Sequence, residues 1–401
     1  MRKLTGMFAV TCLAVASPAF ATNGMRMIGF GPVQGSMGGV GVGATLDACS
    51  LLSNPAGIAD FGQRLDIGLS WFKPTVSYGA TGAGPGAVAN SGATIDSDRG
   101  GSPIPAIGWV RPLSDALSVG VGVFGVAGMG VDYQANLYSS ATLTSYLQGR
   151  LTPGVAYRLS DQLSIGVTAN VMMAQMKYDV ASAMGQAKHD TATSYGIGAT
   201  VGVKYAPVKI VTLGAAYETR SSFQDFTFDV PGGKDKLAFD QPQTVTVGAS
   251  VTPFEALLLA ADVQWINWSD TMGKNLPRYT NDTAVTGAKA FNMGWSDQWV
   301  VKVGAQITPL KGLDLRAGYD YGKMPLDRDR AFENMAFPAV TEHHITAGAG
   351  YRVSEKLAVN VAAMVAPEVE LSGSNVAAQG IQAYSTKMSQ FQIDAGATYR
   401  F

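Results

Sequence analysis

Gln390-Phe391-Gln392-Ile393-Asp394-Ala395-Gly396-Ala397-Thr398-Tyr399-Arg400-Phe401 alternates apolar and polar residues without a break. Successive side chains of a strand point to opposite faces. Phe391, Ile393, Ala395, Ala397, Tyr399 and Phe401 therefore share one face, and the polar or small residues between them share the other. The same period of two recurs upstream. Leu357, Val359, Val361, Ala363 and Val365 form one such face, Leu313, Leu315, Ala317, Tyr319 and Tyr321 a second, and Leu163, Ile165, Val167, Ala169 and Val171 a third. Opposite them stand Gly, Ser, Thr and Asn with isolated charges, where a soluble sandwich would carry abundant Lys and Glu. A lipid-facing exterior and a sparsely polar lumen account for both faces. Tyr217, Trp265, Tyr319, Tyr351, Tyr399 and Phe401 fall on the apolar face near strand ends, as aromatic girdles do at the two membrane interfaces.

The connections alternate between short and long. Short turns are expected at 111–117, 158–163, 206–210, 252–255, 308–312 and 352–356. Long polar connections are expected near 79–101, 134–143, 179–193, 221–240, 269–298, 323–341 and 367–389. Together they join fourteen strands, with short turns on the periplasmic side and long loops outside. The predicted fold is all-β, a 14-stranded antiparallel transmembrane β-barrel over residues 64–401. A soluble all-β protein would need a second layer to cover the apolar faces, and no stretch of the sequence supplies one.

Composition narrows the function. Hydrophobic residues make up 47% and charged residues 15% of the chain, with 48 glycines. A barrel has this profile because each strand shows lipid every second side chain. The formal net charge of −1 leaves no basic stripe to displace counterions, so no nucleic-acid partner is expected. Arg2 and Lys3, the apolar run Met7–Ala16 and Ala19-Phe20-Ala21 follow the order of a secretory signal peptide, residues 1–21, cleaved after Ala21. Only Cys49 then remains, and with three histidines no metal site and no cofactor is expected.

Residues 22–63 do not alternate. They run from Gly29-Phe30-Gly31 through Gly38-Gly39-Val40-Gly41-Val42-Gly43 to Asn54-Pro55-Ala56-Gly57. A phosphate loop would follow a strand and open a helix, and no strand precedes this one. A compact hatch inside the barrel is expected, glycine permitting tight turns and close backbone approach. Thr22-Asn23-Gly24, Ser36-Met37-Gly38-Gly39, Asp47-Ala48 and Asn54-Pro55-Ala56-Gly57 resemble the FadL/TodX family. Ala156-Tyr157-Arg158-Leu159-Ser160-Asp161, Trp265-Ile266-Asn267-Trp268-Ser269 and Tyr399-Arg400-Phe401 extend the resemblance over the mature chain.

The resemblance implies an outer-membrane channel of a Gram-negative bacterium for passive uptake of hydrophobic small molecules, closed by an N-terminal hatch that shifts on ligand binding. Long-chain fatty acids are the first expectation and monoaromatic hydrocarbons the second. It further implies a kinked third strand that opens the wall sideways, a monomer, surrounding outer-membrane lipid, and recognition of the last strand, ending in Phe401, by the barrel-assembly machinery. The third strand, Leu117–Tyr133, contains Gly120, Gly122, Gly125, Gly128 and Gly130; Gly125, Gly128 and Gly130 are the candidate kink. The other reading is that these glycines give the hatch room.

Candidate site residues follow from parity and from the family. A carboxylate ligand needs a cation, and Arg150, Arg220 and Lys302 have lumen-facing parity, with Glu218, Asp262, Asp320 and Asp394 as available partners. Phe223, Phe226, Phe228, Trp268, Met272, Phe291, Met293 and Trp295 in the fourth and fifth long loops are candidates for a greasy external site. Asn54-Pro55-Ala56 reads as a turn that also gates, and Asn23 through Phe30 as a segment reaching into the ligand pocket. Two other classes compete. An outer-membrane hydrolase would need His189, His343 or His344 set between a carboxylate and a hydroxyl or thiol. A general porin would lack the Gly-rich segment and conduct ions freely.

Overall fold

The computed structural model describes residues 22–82, 90–134, 141–182, 185–230, 233–273, 278–279, 293–328, 334–376 and 381–401. The expected signal peptide and Phe291 lie outside the described residues. Fourteen long strands follow the order of the sequence. They are β1 (Arg64–Gly82), β2 (Ser102–Pro112), β3 (Leu117–Met129), β4 (Thr142–Arg158), β5 (Leu163–Ser182), β6 (Ala192–Val208) and β7 (Val211–Glu218). The second half comprises β8 (Thr244–Phe254), β9 (Leu257–Ile266), β10 (Gln298–Leu310), β11 (Leu313–Gly322), β12 (His343–Arg352), β13 (Leu357–Val376) and β14 (Ile381–Arg400). Each pairs antiparallel with the next, and β14 returns to β1 from Arg400↔Arg64 to Ile381↔Gly82. The sheet is therefore a closed 14-stranded antiparallel barrel.

The two-residue period decides which side chains face out. Ile67, Leu69 and Trp71 on β1, Ile165, Val167 and Val171 on β5, and Phe391, Ile393 and Tyr399 on β14 are exposed on the outer face, while Asp66, Ser70 and Phe72 on β1 turn inward and are buried. All six short turns lie where the sequence puts them.

One connection differs. The expected long loop at 367–389 is mostly strand, because β13 and β14 continue as a hairpin to Val376↔Ile381. Pro367 and Glu368 break the alternation, but a bulge between Ala366 and Val369 absorbs the irregularity, and pairing resumes at Val369↔Met388. The fourth and fifth loops also carry structure outside the barrel wall. Phe226–Val230 pairs with Gly233–Leu237, and this hairpin pairs with Arg278–Tyr279 as a small separate sheet.

Candidate functional site

The segment ahead of β1 fills the lumen. It holds a tight hairpin, Thr22–Asn23 with Arg26–Met27, short helices α1 (Gly31–Gly35) and α2 (Ser50–Ser53), and a 3-10 turn, Pro55–Asp60. Glycines on the inner wall let its backbone lie flat against the strands. A Cβ at Gly318 of β11 would sit 2.1 Å from Gly38 N, and one at Gly214 of β7 would sit 2.0 Å from the Val42 carbonyl oxygen. A Cβ at Gly166 of β5 would meet Pro55 at 2.4 Å.

Wall carboxylates then take up the hatch's backbone donors. Asp262 of β9 accepts from Gly41 N at 2.8 Å, Val42 N at 2.9 Å and Gly43 N at 3.1 Å. Successive N–H groups converging on one anion form a nest. Asp66 of β1, paired with Arg64, accepts from Ala48 N at 2.8 Å. Asn54 works in both directions. Its Nδ2 donates to the Val42 carbonyl and to the Val203 carbonyl of β6, both at 3.0 Å, and its Oδ1 accepts from Ala56 N at 3.2 Å. The Asn54-Pro55-Ala56 turn thus ties two hatch segments to the wall.

Asp47 lies beneath this anchor. Burial, with the Asp66 carboxylate beside it, pushes the Asp47 carboxyl up to about 7, and Arg64 only partly offsets this. A carboxyl raised in the folded state favours folding while it is protonated, so its contribution is lost as pH rises from an ordinary aspartate value near ~4 through about 7. Asp47→Asn is therefore expected to flatten the pH dependence of hatch stability between about pH 4 and 7, read by limited proteolysis or hydrogen exchange of residues 44–53. An unchanged slope would reject the assignment.

The leading residues thread from the outer end toward the wall. Asn23 donates to Asp320 of β11 at 3.0 Å, and Asp320 also meets His344 Nδ1 at 2.8 Å. Gly24 sits between Trp268 and Trp295, whose rings are 4.9 Å apart and nearly perpendicular. Met25 is fully buried in an apolar cluster that includes Tyr146, Phe226, Phe239, Trp268, Met272 and Met293, with Phe223 packed at its edge. The greasy residues of the two loops therefore meet around the N-terminal tip.

Below that cluster the chemistry becomes charged. Arg26 and Arg150 each bond one oxygen of Glu218 at 2.6 Å, and Lys302 Nζ donates to the Ile28 carbonyl at 2.6 Å. These residues and Asp262 line a cavity of about 50 Å³, room for roughly one or two waters and far below a ligand pocket of roughly 300 Å³ or more. This cavity has no room for such a ligand. Arg26 Nη1 and Arg150 Nε are buried with no hydrogen-bond partner among the described residues. Arg220 is not part of this group. It bridges Asp240 and Asp270 among the external loops.

Met27 and Ile28 then pack with Phe72, Ile104 and Met364, and Phe30 lies 6.4 Å from Phe124. This apolar strip joins the inner faces of β1, β2 and β13, with Phe124 of β3 beside Phe30. Pairing of β2 with β3 ends at Ala106↔Phe124, and β3 carries a bulge between Gly125 and Ala127. Gly128 N donates to the Met25 carbonyl at 3.0 Å, and Gly130, at φ +153°, closes β3. Gly120 instead lies 3.0 Å, Cβ position to side chain, from Leu51 of the hatch. The glycines of β3 thus divide between making room for the hatch and sitting at the bend.

Parity and composition did not single out Arg26, whose segment carries no periodicity, nor the prolines at 103 and 105. The three histidines are placed differently. His189 bonds the Tyr178 carbonyl through Nδ1 and Asp235 through Nε2; His343 faces outward against Tyr319; His344 is fully buried on Asp320. Among the described residues none of these contacts sets a histidine between a carboxylate and a hydroxyl.

The family model for "Outer membrane protein transport protein (OMPP1/FadL/TodX)" matches residues 8–401. The chain belongs to the OMPP1/FadL/TodX family. Solved structures of similar fold include the Pseudomonas putida toluene transporter TodX, at TM-score 0.77 and 18% identity, covering 93% of this chain and 99% of that one. A Pseudomonas aeruginosa FadL homologue matches at TM-score 0.73 and 16% identity over 94% and 100%. The Ralstonia pickettii toluene transporter TbuX matches at TM-score 0.71 and 18% identity over 93% and 99%. Among curated protein sequences, none matches this chain. This FadL/TodX-family protein is thus an outer-membrane barrel of a family of transport channels rather than of enzymes.

Proposed function

We infer that this FadL/TodX-family member passes long-chain fatty acids inward by passive transfer. The external aromatic cluster takes the acyl chain, the leading residues Asn23 to Phe30 withdraw, and the ligand leaves sideways where β3 parts from β2. An apolar molecule gains roughly 0.8 kcal/mol for each buried CH₂, and a greasy route ending at the membrane spares it a return to water. The observation that carries the fatty-acid reading is the pair of buried, unpartnered N–H groups on Arg26 and Arg150, two residues that line one small cavity beneath the aromatic cluster. A carboxylate would satisfy both, and a charge-assisted bond of this kind is stronger than a neutral one. Monoaromatic hydrocarbons, the cargo named for TodX and TbuX, would use the same apolar route without needing the cations. Outside the cavity, the protein acts as a monomer in outer-membrane lipid, and β14 with Phe401 addresses the barrel-assembly machinery.

The experiment compares oleate and toluene uptake in a deletion strain carrying wild type or Arg150→Ala. Oleate uptake is expected to fall about tenfold, the equivalent of one charge-assisted bond of ~1.4 kcal/mol, with toluene uptake unchanged. Equal loss of both, or of neither, rejects the carboxylate role, and toluene uptake without any oleate uptake by wild type selects the aromatic reading.

A further inference from the structure

β2 and β3 form a ladder from Pro112↔Ser118 to Ala106↔Phe124 and then separate. β2 goes on pairing with β1 through Pro105↔Leu69, Pro103↔Trp71 and Ser102↔Phe72. β3 goes on pairing with β4 through Gly125↔Gly149 to Met129↔Tyr146. Over residues 103–105, then, β2 has no ladder partner on the β3 side among the described residues. The direction of its peptide groups tells which residues face that side. A Cβ at Gly122 would lie 2.9 Å from the Ile107 carbonyl oxygen and one at Gly120 2.9 Å from that of Trp109, so the odd residues of β2 turn their peptide groups toward β3. The Ala106 carbonyl, 3.5 Å from a Cβ at Gly68, faces β1 instead. Since N–H and C=O of one residue point the same way in an antiparallel ladder, positions 103 and 105 would also donate toward β3. Both are proline, which has no N–H to donate.

We propose that Pro103 and Pro105 are positioning residues that keep the wall unzipped between β2 and β3. A straight β3 would find no donor at either position, so half of the ladder bonds across this stretch cannot form. The same absence makes the open edge tolerable, because an N–H left unpaired toward lipid or an apolar ligand is costly. The donor that β3 frees at Gly128 is taken by the Met25 carbonyl, so the leading segment stands where β2 would otherwise pair. The proposal rests on the lateral route inferred above and gives that route its fixed seam.

The test is P103A/P105A in nanodiscs, with hydrogen exchange and oleate uptake read separately. Exchange reports the proposal: the two new amides, and those of 125–128, are expected to exchange at least roughly tenfold more slowly than open-edge amides. New amides that exchange as freely as unpaired ones overturn it, whatever uptake does. Uptake reports the route: protected amides with uptake lost support both, whereas protected amides with unchanged uptake leave the prolines their role and remove the lateral exit. Ligand binding at the outer cluster, followed by fluorescence of Trp268 and Trp295, is expected to match wild type. Single substitutions, P103A and P105A, are expected to give intermediate protection should the double variant assemble poorly.

Discussion

Asp262→Ala is expected to turn this closed barrel into a leaky one. The Asp262 carboxylate takes three successive hatch N–H groups, from Gly41, Val42 and Gly43. Truncation would strand all three in a water-poor lumen at about 1–3 kcal/mol each, a total of roughly 3–9 kcal/mol. Gly248, paired with Asp262 on the adjacent strand, leaves just enough space for the carboxylate: a Cβ there would lie 1.9 Å from Asp262 Oδ1. A loss of that size exceeds what one remaining bond, such as Ser250 Oγ to the Gly43 carbonyl, returns. The readouts are single-channel conductance in planar bilayers and sensitivity of cells to large antibiotics, both expected to rise sharply. Asp262→Asn keeps one acceptor oxygen and should fall between. An alanine variant as tight as wild type would mean that the nest does not hold the hatch.

How much of this was legible beforehand depends on what each residue answers to. The strands were legible because lipid demands an apolar side chain at every second position, and that demand is local. The hatch was legible as a departure from this period, though its interior order was not. Gly38, Val42 and Pro55 find their places only where Gly318, Gly214 and Gly166 leave room, and such pairings join residues a hundred or more positions apart. Glu218 and Asp262 could be named as partners from parity alone, but not what they hold: Glu218 joins Arg150 to Arg26, and Asp262 faces backbone rather than a side chain. Arg220 had the right charge and alternation and still fell among the loops, since β7 ends at Glu218 and parity says nothing beyond a strand's end. The continuation of β13 and β14 was hidden for a related reason. A bulge shifts the alternation by one residue, and a shifted pattern reads as none.

Tying down the N-terminal tip is the change expected to silence transport most completely. In the closed conformation Asn23 is buried against β11, with its carboxamide oxygen 2.8 Å from where a Cβ at Gly322 would stand. A cysteine at 23 would carry its sulfur near the present carboxamide, so the pair is a candidate for a disulfide once Gln298 and Val300, 2.9 and 3.0 Å from the same Cβ position, give way. The buried Cys49 lies with Gly31, away from this pair. Gly24 and Met25, next in the chain, would then be unable to leave the Trp268–Trp295 cluster, and Met27 and Ile28 could not clear the strip formed with Phe72, Ile104 and Met364. Oxidised Asn23→Cys/Gly322→Cys is expected to take up neither oleate nor toluene above the level of the deletion strain, and to recover on reduction. The reduced form controls for loss of the Asn23–Asp320 bond, so only the covalent tie separates the two measurements. Uptake that persists with the disulfide shown intact by mass spectrometry would mean that ligand passes without displacing the leading segment, and the gate would have to be sought elsewhere in the hatch.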